Sequence, residues 1–297
     1  MAKVFLTNAT GYIGKAVALA ALNKGHSVSA LARSPEATQK LEKIGVKPVS
    51  GDLKKPEQYT DTLNQYDVVI HTAATNDEDF GKYDTLTVNS IIETLKGTNK
   101  TFIYTSGTWV LGNTGDIIAD EQTPYEPLPF VAWRAENEQQ VVKAAQNGIK
   151  AIVLRPVIVY GGEEGIIANL IQQAEKTKTV PYITTGQNYW SLVHVEDLAD
   201  LYLLAIEKAE AGSLYNASSD YLPAKQIAEL VAGAAQAQAK SIPLEEARKT
   251  LSIFADAFAL DQKIGAVKAK QELGWQPKAP KLANAIEKTK QLAAGRA

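Results

Sequence analysis

Val4-Phe5-Leu6-Thr7-Asn8-Ala9-Thr10-Gly11-Tyr12-Ile13-Gly14-Lys15-Ala16-Val17 decides the architecture of this chain. A short apolar run ends in a turn holding Gly11 and Gly14, and an amphipathic segment of helical period follows at once. Glycine at 11 lets the backbone approach a pyrophosphate. Glycine at 14 lets the helix lie close on the strand, and the free N–H groups at the helix start attract negative charge. Asn8 stands where such a turn usually begins with glycine, and the reading is that asparagine replaces it by tolerating a left-handed backbone. Glycines alone are weak evidence; strand, turn and helix in this order point to a dinucleotide cradle.

The pattern continues outward. Apolar runs rich in β-branched residues at 3–7, 27–32, 46–50, 67–72, 101–105 and 150–155 alternate with helical periods at 11–24, 35–45, 56–64, 84–96 and 134–147. That alternation implies a parallel sheet with helices on both faces. Ser34 and Pro35 mark the start of the second helix, the serine as cap and the proline at the first helical position. Beyond Tyr160, strand-like pieces at 180–184, 189–195 and 213–217 mix with helices at 166–177, 196–209, 223–237, 243–257 and 281–294. Leu198, Leu201, Tyr202, Ala205 and Ile206 form one apolar helical stripe. The expected fold is α/β: a Rossmann-type doubly wound parallel sheet with a smaller, mostly helical C-terminal substrate lobe. Residues 1–160 with about 189–220 are assigned to the dinucleotide domain, and about 161–188 with 221–297 to the substrate lobe.

The end of the second strand reads Ala30-Leu31-Ala32-Arg33-Ser34. An NAD site places a carboxylate there for the ribose 2′-hydroxyl. Here no carboxylate repels a phosphate, and an arginine and a hydroxyl are in reach, so the expected cofactor is NADP (NADPH).

Several further stretches complete a resemblance: Gly51-Asp52-Leu53, Val69-Ile70-His71-Thr72-Ala73-Ala74, Tyr104-Thr105-Ser106-Gly107, Leu154-Arg155-Pro156, Tyr160-Gly161 and Val193-His194-Val195-Glu196-Asp197. With Thr7 to Gly14 they make the chain resemble the extended short-chain dehydrogenases/reductases, which include nucleotide-sugar epimerases, dehydratases and carbonyl reductases. The resemblance implies that Thr7, Asn8, Thr10, Gly11, Tyr12, Ile13 and Gly14 surround the diphosphate, and that Asp52 and Leu53 flank the adenine. It likewise implies that Thr72, Ala73 and Ala74 line the cofactor at the fourth strand, with Asn89 on the central helix, Thr105 among the cofactor-binding residues and Pro156 near the nicotinamide. Members are often dimers through two helices of the Rossmann domain, so a homodimer is implied as well.

In that family a Ser or Thr and a Tyr-x-x-x-Lys pair do the chemistry, the tyrosine acting as acid or base with a pKa lowered by the lysine. Alignment on Val110 and Gly112 puts Gly107 at the serine position. Alignment on Glu138 puts Phe130 at the tyrosine and Arg134 at the lysine. Phe130 has no ionisable proton; Arg134 can hydrogen-bond a ribose but effectively cannot lose its proton. Ser106, Thr108 and Arg134 are the remaining candidates for catalysis, although hydroxyls at a strand end also commonly satisfy backbone groups. Trp109, Phe130, Trp133, Tyr160 and Trp190 are candidates to line a substrate site, and aromatic packing between lobes is the competing reading.

Composition limits the alternatives. The 297 residues are 45% hydrophobic and 22% charged with a formal net charge of -2, which offers no basic surface for nucleic acid. Cysteine is absent, so there is no thiol nucleophile, disulfide or zinc-thiolate site. The histidines are dispersed, no metal is expected, and no Gly-x-Ser-x-Gly elbow suggests a hydrolase. With no apolar run of membrane or signal-peptide length, a cytoplasmic protein without membrane partners is expected. Two functions follow: an atypical NADP-dependent oxidoreductase of a small carbonyl compound, with an NADP-retaining epimerase or isomerase as a variant, or a non-catalytic NADP sensor.

Overall fold

The computed structural model describes residues 1–75 and 77–294, with side chains up to residue 288 in the last helix. Its first half alternates β1 (Lys3–Leu6), α1 (Tyr12–Asn23), β2 (Ser27–Ala32), α2 (Pro35–Lys43), β3 (Lys47–Ser50), β4 (Val68–His71), α3 (Phe80–Leu95), β5 (Thr101–Thr105), α4 (Ala132–Ala144) and β6 (Lys150–Pro156). The second half adds β7 (Ile158–Tyr160), α5 (Gly165–Thr177), β8 (Thr179–Ile183), β9 (Tyr189–His194), α6 (Val195–Lys208) and β10 (Ser213–Ala217). It closes with β11 (Asp220–Pro223), α7 (Ala224–Ala235), β12 (Gln238–Ile242), α8 (Leu244–Leu251), α9 (Phe254–Ala259), α10 (Val267–Leu273) and α11 (Leu282–Ala294).

Seven strands form one sheet in the order β3-β2-β1-β4-β5-β6-β10, and every pair is parallel. The chain runs outward from β1 to β3, then restarts at β4 on the other side of β1. A crevice therefore opens at the carboxyl ends of β1 and β4, the place where such sheets bind ligands. Pleating sends successive β1 residues to opposite faces. Val4 and Leu6 enter a core shared with α1 and α6, while Phe5 enters a second core under α3 and α4. Leu198, Leu201, Tyr202 and Ala205 are buried in the first of these, with Ile206 packed against its edge.

Ser34 caps α2, its Oγ accepting from Ala37 N at 3.3 Å, with Pro35 at the first helical position. Elsewhere the elements depart from expectation for identifiable reasons. The helix expected over 56–64 is two 3-10 turns, Pro56–Gln58 and Thr60–Gln65. Tyr59 between them leaves helical geometry at φ -134° and buries its ring against Phe5, 6.1 Å between centroids. The helix expected over 243–257 divides into α8 and α9 at Ser252, whose φ is 52°, in the region a non-glycine residue rarely adopts. Arg248 bridges that break by pairing with Asp256 at 2.7 Å.

β9 pairs with β7 and β11 in a separate three-stranded sheet, so 189–194 does not extend the large one. β8 and β12 form a parallel pair over a core of α5, α7 and α11 residues. β7, β11, β12 and α10 carry no signal in the sequence pattern; the strands among them are only three to five residues long.

Candidate active site

The phosphate turn is organised by one carboxamide. Asn8 Oδ1 accepts from Gly11 N at 2.9 Å, from Thr10 N at 3.2 Å and from Thr10 Oγ1 at 3.1 Å. Asn8 is not among the residues with positive φ. It replaces glycine by bonding the turn with its side chain, not by adopting a left-handed backbone, which corrects the sequence expectation. A Cβ on Gly14 would stand 1.7 Å from Asn8 O and 2.9 Å from Thr72 Oγ1, so only glycine lets α1 approach β1 and β4 this closely. The first ladder bond of α1 runs from Lys15 N to Gly11 O at 2.8 Å; the amides of Tyr12, Ile13 and Gly14 precede it, outside the ladder. Tyr12 turns its hydroxyl to Gly161 O at 2.7 Å, and burial raises its pKa.

Thr7 ties this turn to β4. Its Oγ1 accepts from Thr72 N at 3.1 Å and Ala73 N at 3.2 Å and meets His71 Nδ1 at 2.8 Å. Thr72 Oγ1 donates to Asn8 O at 2.9 Å. From His71 a buried network continues to Asp84 at 3.2 Å, and Asp84 Oδ2 accepts from Tyr104 OH at 2.8 Å and Asn137 Nδ2 at 2.9 Å. Burial pushes the Asp84 carboxyl up, but His71 outweighs it, with help from Arg134 and Tyr104, and holds its pKa below the ordinary value.

Along the crevice rim, Arg33 is exposed just beyond β2, and the oxygen of Ser34 is occupied as the cap of α2. Asp52 accepts from Lys54 N at 3.0 Å, and Leu53 is buried beside it. Ala74 is exposed at the end of the β4 turn. Asn89 lies on α3 as expected, on its exposed side; the inward residues of that helix are Asp84, Thr87, Val88, Ile91 and Leu95. Thr87 faces the loop after β3, its hydroxyl 3.4 Å from Leu53 O.

The end of β5 splits the remaining candidates between two sides. Thr105 meets Tyr202 OH through its hydroxyl, and its carbonyl accepts from Arg134 Nη1 at 2.9 Å. Burial opposes the charge on Arg134, but Tyr104, Asp84 and Glu138 outweigh it and raise the guanidinium pKa. Ser106 donates to Glu138, a fully buried carboxylate that also takes Tyr125 OH at 2.9 Å and Arg155 Nε at 2.8 Å. Burial, with Glu138 next in weight, pushes the Tyr125 phenol up to about 12. Thr108 is buried 3.4 Å from Gln262 Oε1, and Gln262 Nε2 donates to the carbonyls of Thr108 at 2.8 Å and Gly112 at 2.7 Å. Neither hydroxyl is turned to open space, so the structure places Ser106 and Thr108 in internal bonds. At Gly107 a Cβ would come no closer than 3.8 Å to Pro156 O, so the position lacks a side chain without being filled by another.

The five aromatic candidates do not form one wall. Trp109 and Phe130 meet at 6.0 Å, and both touch Phe254, at 6.2 and 5.8 Å. Phe258 joins Trp109 at 6.1 Å to Trp190 at 5.1 Å. Trp133 turns away to Phe80, at 5.7 Å, with Arg134 stacked on its other side at 4.5 Å. Tyr160 is buried in the small lobe, its hydroxyl on Pro280 O at 3.0 Å and its ring edge-on to His194. Phe254 and Phe258 escaped the sequence reading. Their spacing of four puts them on one face of α9, but nothing in the sequence says that this face meets Trp109.

Comparison with known proteins gives consistent results. Residues 4–218 match the profile of the NAD dependent epimerase/dehydratase family. An uncharacterised protein of Schizosaccharomyces pombe is 33% identical over 283 residues, covering 93% of this chain and 95% of its own. A 4-hydroxy-2-methyl-3-oxo-4-farnesyl-3,4-dihydroquinoline-1-oxide ketoreductase of Stigmatella aurantiaca is 27% identical, covering 72% and 67%. Among solved structures, dTDP-glucose 4,6-dehydratase of Bacillus anthracis in complex with NAD superposes with a TM-score of 0.82 at 18% identity, covering 99% and 97%, a likeness of fold.

Proposed function

Because this chain belongs to the NAD-dependent epimerase/dehydratase family, we propose that it is an atypical NADP-dependent oxidoreductase of a carbonyl-type small molecule, working without the Ser-Tyr-Lys trio. The observation that carries the NADP assignment is the end of β2, where an exposed Arg33 stands with no carboxylate from Ala30 to Ser34. In this reading the amides at the start of α1 and Gly11 hold the diphosphate, and Arg33 takes the 2′-phosphate. Ser34 adds little beside it, since its oxygen caps α2 and its hydroxyl faces the Glu36 carboxylate. Asp52 and Leu53 border the adenine, Thr72 to Ala74 and Thr105 line the crevice, Pro156 lies at the nicotinamide end, and Arg134 binds the ribose. Asn89 has no part in it.

The bound dinucleotide supplies a hydride donor or acceptor. The chain's own residues then orient the carbonyl and limit where a proton can come from. Phe130 has none to give, and Arg134 keeps its own. With Ser106 and Thr108 committed internally, the proton comes from water admitted beside Gly107. A second reading, a non-catalytic NADP sensor, is favoured by the same observation: all three trio positions are changed and both flanking hydroxyls are occupied.

Fluorescence titration with NADPH and NADH, on the natural protein and on Arg33→Ala, tests the cofactor. NADPH binding should weaken about tenfold in the variant, the loss of roughly 1.4 kcal/mol of a charge-assisted contact, with NADH unaffected. Equal affinity for both cofactors in the natural protein removes the NADP assignment. If NADPH binds but no hydride reaches any of a panel of carbonyl, imine and enone compounds, the sensor reading replaces the enzyme.

A further inference from the structure

We propose that the substrate end of the cleft takes an apolar aryl ketone or aldehyde and not a sugar carried on a nucleoside diphosphate; the proposal deepens the oxidoreductase reading and rests on it for the site's role. Phe130 and Trp109 mark the place, since they stand at and beside the positions where the family's catalytic hydroxyls are expected. Phe254 and Phe258 close against them, edge to face for Trp109–Phe258 and Phe130–Phe254 and tilted for Trp109–Phe254. Phe254 keeps 46% of its surface exposed and its neighbour Ile253 42%, so the ring cluster presents apolar surface to solvent.

The polar groups around this wall are turned away from it. Trp190 Nε1 donates to Phe258 O at 2.9 Å, and Asn188 Nδ2 to the carbonyls of Phe258 and Leu260 at 3.0 Å. Trp133 Nε1 donates to Phe130 O at 2.9 Å. Gln262 is spent on Thr108 and Gly112. Each bond consumes a donor that a sugar hydroxyl would need and leaves carbon surface behind.

Charge points the same way. Segments 108–112, 129–133, 188–190 and 253–262 contain no lysine or arginine; their charged residues are Asp256 and Asp261. Asp256 pairs with Arg248, and Asp261 accepts from Tyr189 N at 2.8 Å. Lys263, next in the chain, stands over the Tyr189 ring at 4.6 Å. A diphosphate laid along these segments would find no lysine or arginine within them, while the adjacent Arg134 is bonded to Thr105 O and stacked on Trp133 and Arg248 is paired with Asp256. A flat aromatic ketone instead gains stacking and edge contacts from several rings at once.

Isothermal titration of the NADP⁺-saturated protein with 2-acetylnaphthalene and with UDP-glucose tests this without requiring turnover. The ketone should bind saturably, and about tenfold more weakly in Phe254→Ala and in Trp109→Ala, while UDP-glucose gives no binding heat. NADPH affinity and thermal midpoint should stay unchanged in Phe254→Ala, whose exposure makes it the decisive variant if Trp109→Ala fails to fold. Saturable UDP-glucose binding, no ketone binding, or ketone affinity unchanged in Phe254→Ala overturns the proposal. A ketone that binds as expected but is never reduced by NADPH sinks the oxidoreductase reading and leaves the binding class standing.

Discussion

The phosphate turn after β1 and the strand end after β5 both face the same crevice, yet their polar groups find partners at different distances along the chain. Asn8 Oδ1 bonds Gly11 N three residues away. Ser106 bonds Glu138 thirty-two residues away, and Thr108 meets Gln262 across 154. The inner shape of the turn comes from such short-range bonds and so from its own sequence, while Thr7 and Thr72 anchor it to β4 from 64 to 66 residues away. A site built from long-range bonds takes its chemistry from whatever the fold brings opposite, and at β5 the fold brings groups that silence the hydroxyls.

Breaking the long-range side should cost most. Glu138→Ala strands Arg155, which is 1% exposed, without its carboxylate and should destabilise the protein by about 3–5 kcal/mol. Urea unfolding would show this as a lower midpoint, and an unchanged midpoint would mean that the pair carries no such weight. Gly14→Ala attacks the short-range side. Its Cβ at 1.7 Å from Asn8 O forces α1 off the sheet, at about 3 kcal/mol, with NADPH binding lost in calorimetry.

Asp84 joins the two regions, since its network runs from Thr7 to Asn137. Its pKa is depressed in the folded protein, so its contribution is present above the ordinary value of 3.8 and is lost as pH falls through the lower folded value. Asp84→Asn should therefore reduce stability at neutral pH by about 2 kcal/mol and flatten the acid limb of the stability profile below pH 3.8. Parallel acid limbs in the two proteins would assign the dependence to other carboxylates. The smallest effect is expected at Gly107→Ser, where φ is -177° and no atom crowds the new Cβ. Stability should stay within about 0.5 kcal/mol, and any change in hydride transfer would then report the hydroxyl itself.

These two regions also set how much could be read in advance. The parallel sheet, the turn at Thr7 to Gly14 and the Ser34–Pro35 helix start were legible because each rests on residue patterns a few positions long. The role of Asn8 was misread, because its carboxamide bonds and a left-handed backbone leave the same letter in the sequence. Which side of α3 Asn89 faces, and where the rings of Tyr160 and Trp133 pack, depended on helical phase and long-range packing that the sequence pattern does not carry.

The sequence by itself determined the fold class and the glycine turn that ends β1, since hydrophobic period and turn chemistry act between near neighbours. Only the tertiary structure decided what faces the crevice. It sent Ser106 to Glu138 and Thr108 to Gln262, and it set α9 against Trp109. Those contacts join segments that share no local pattern, and their geometry exists only once the sheet and the second lobe have packed.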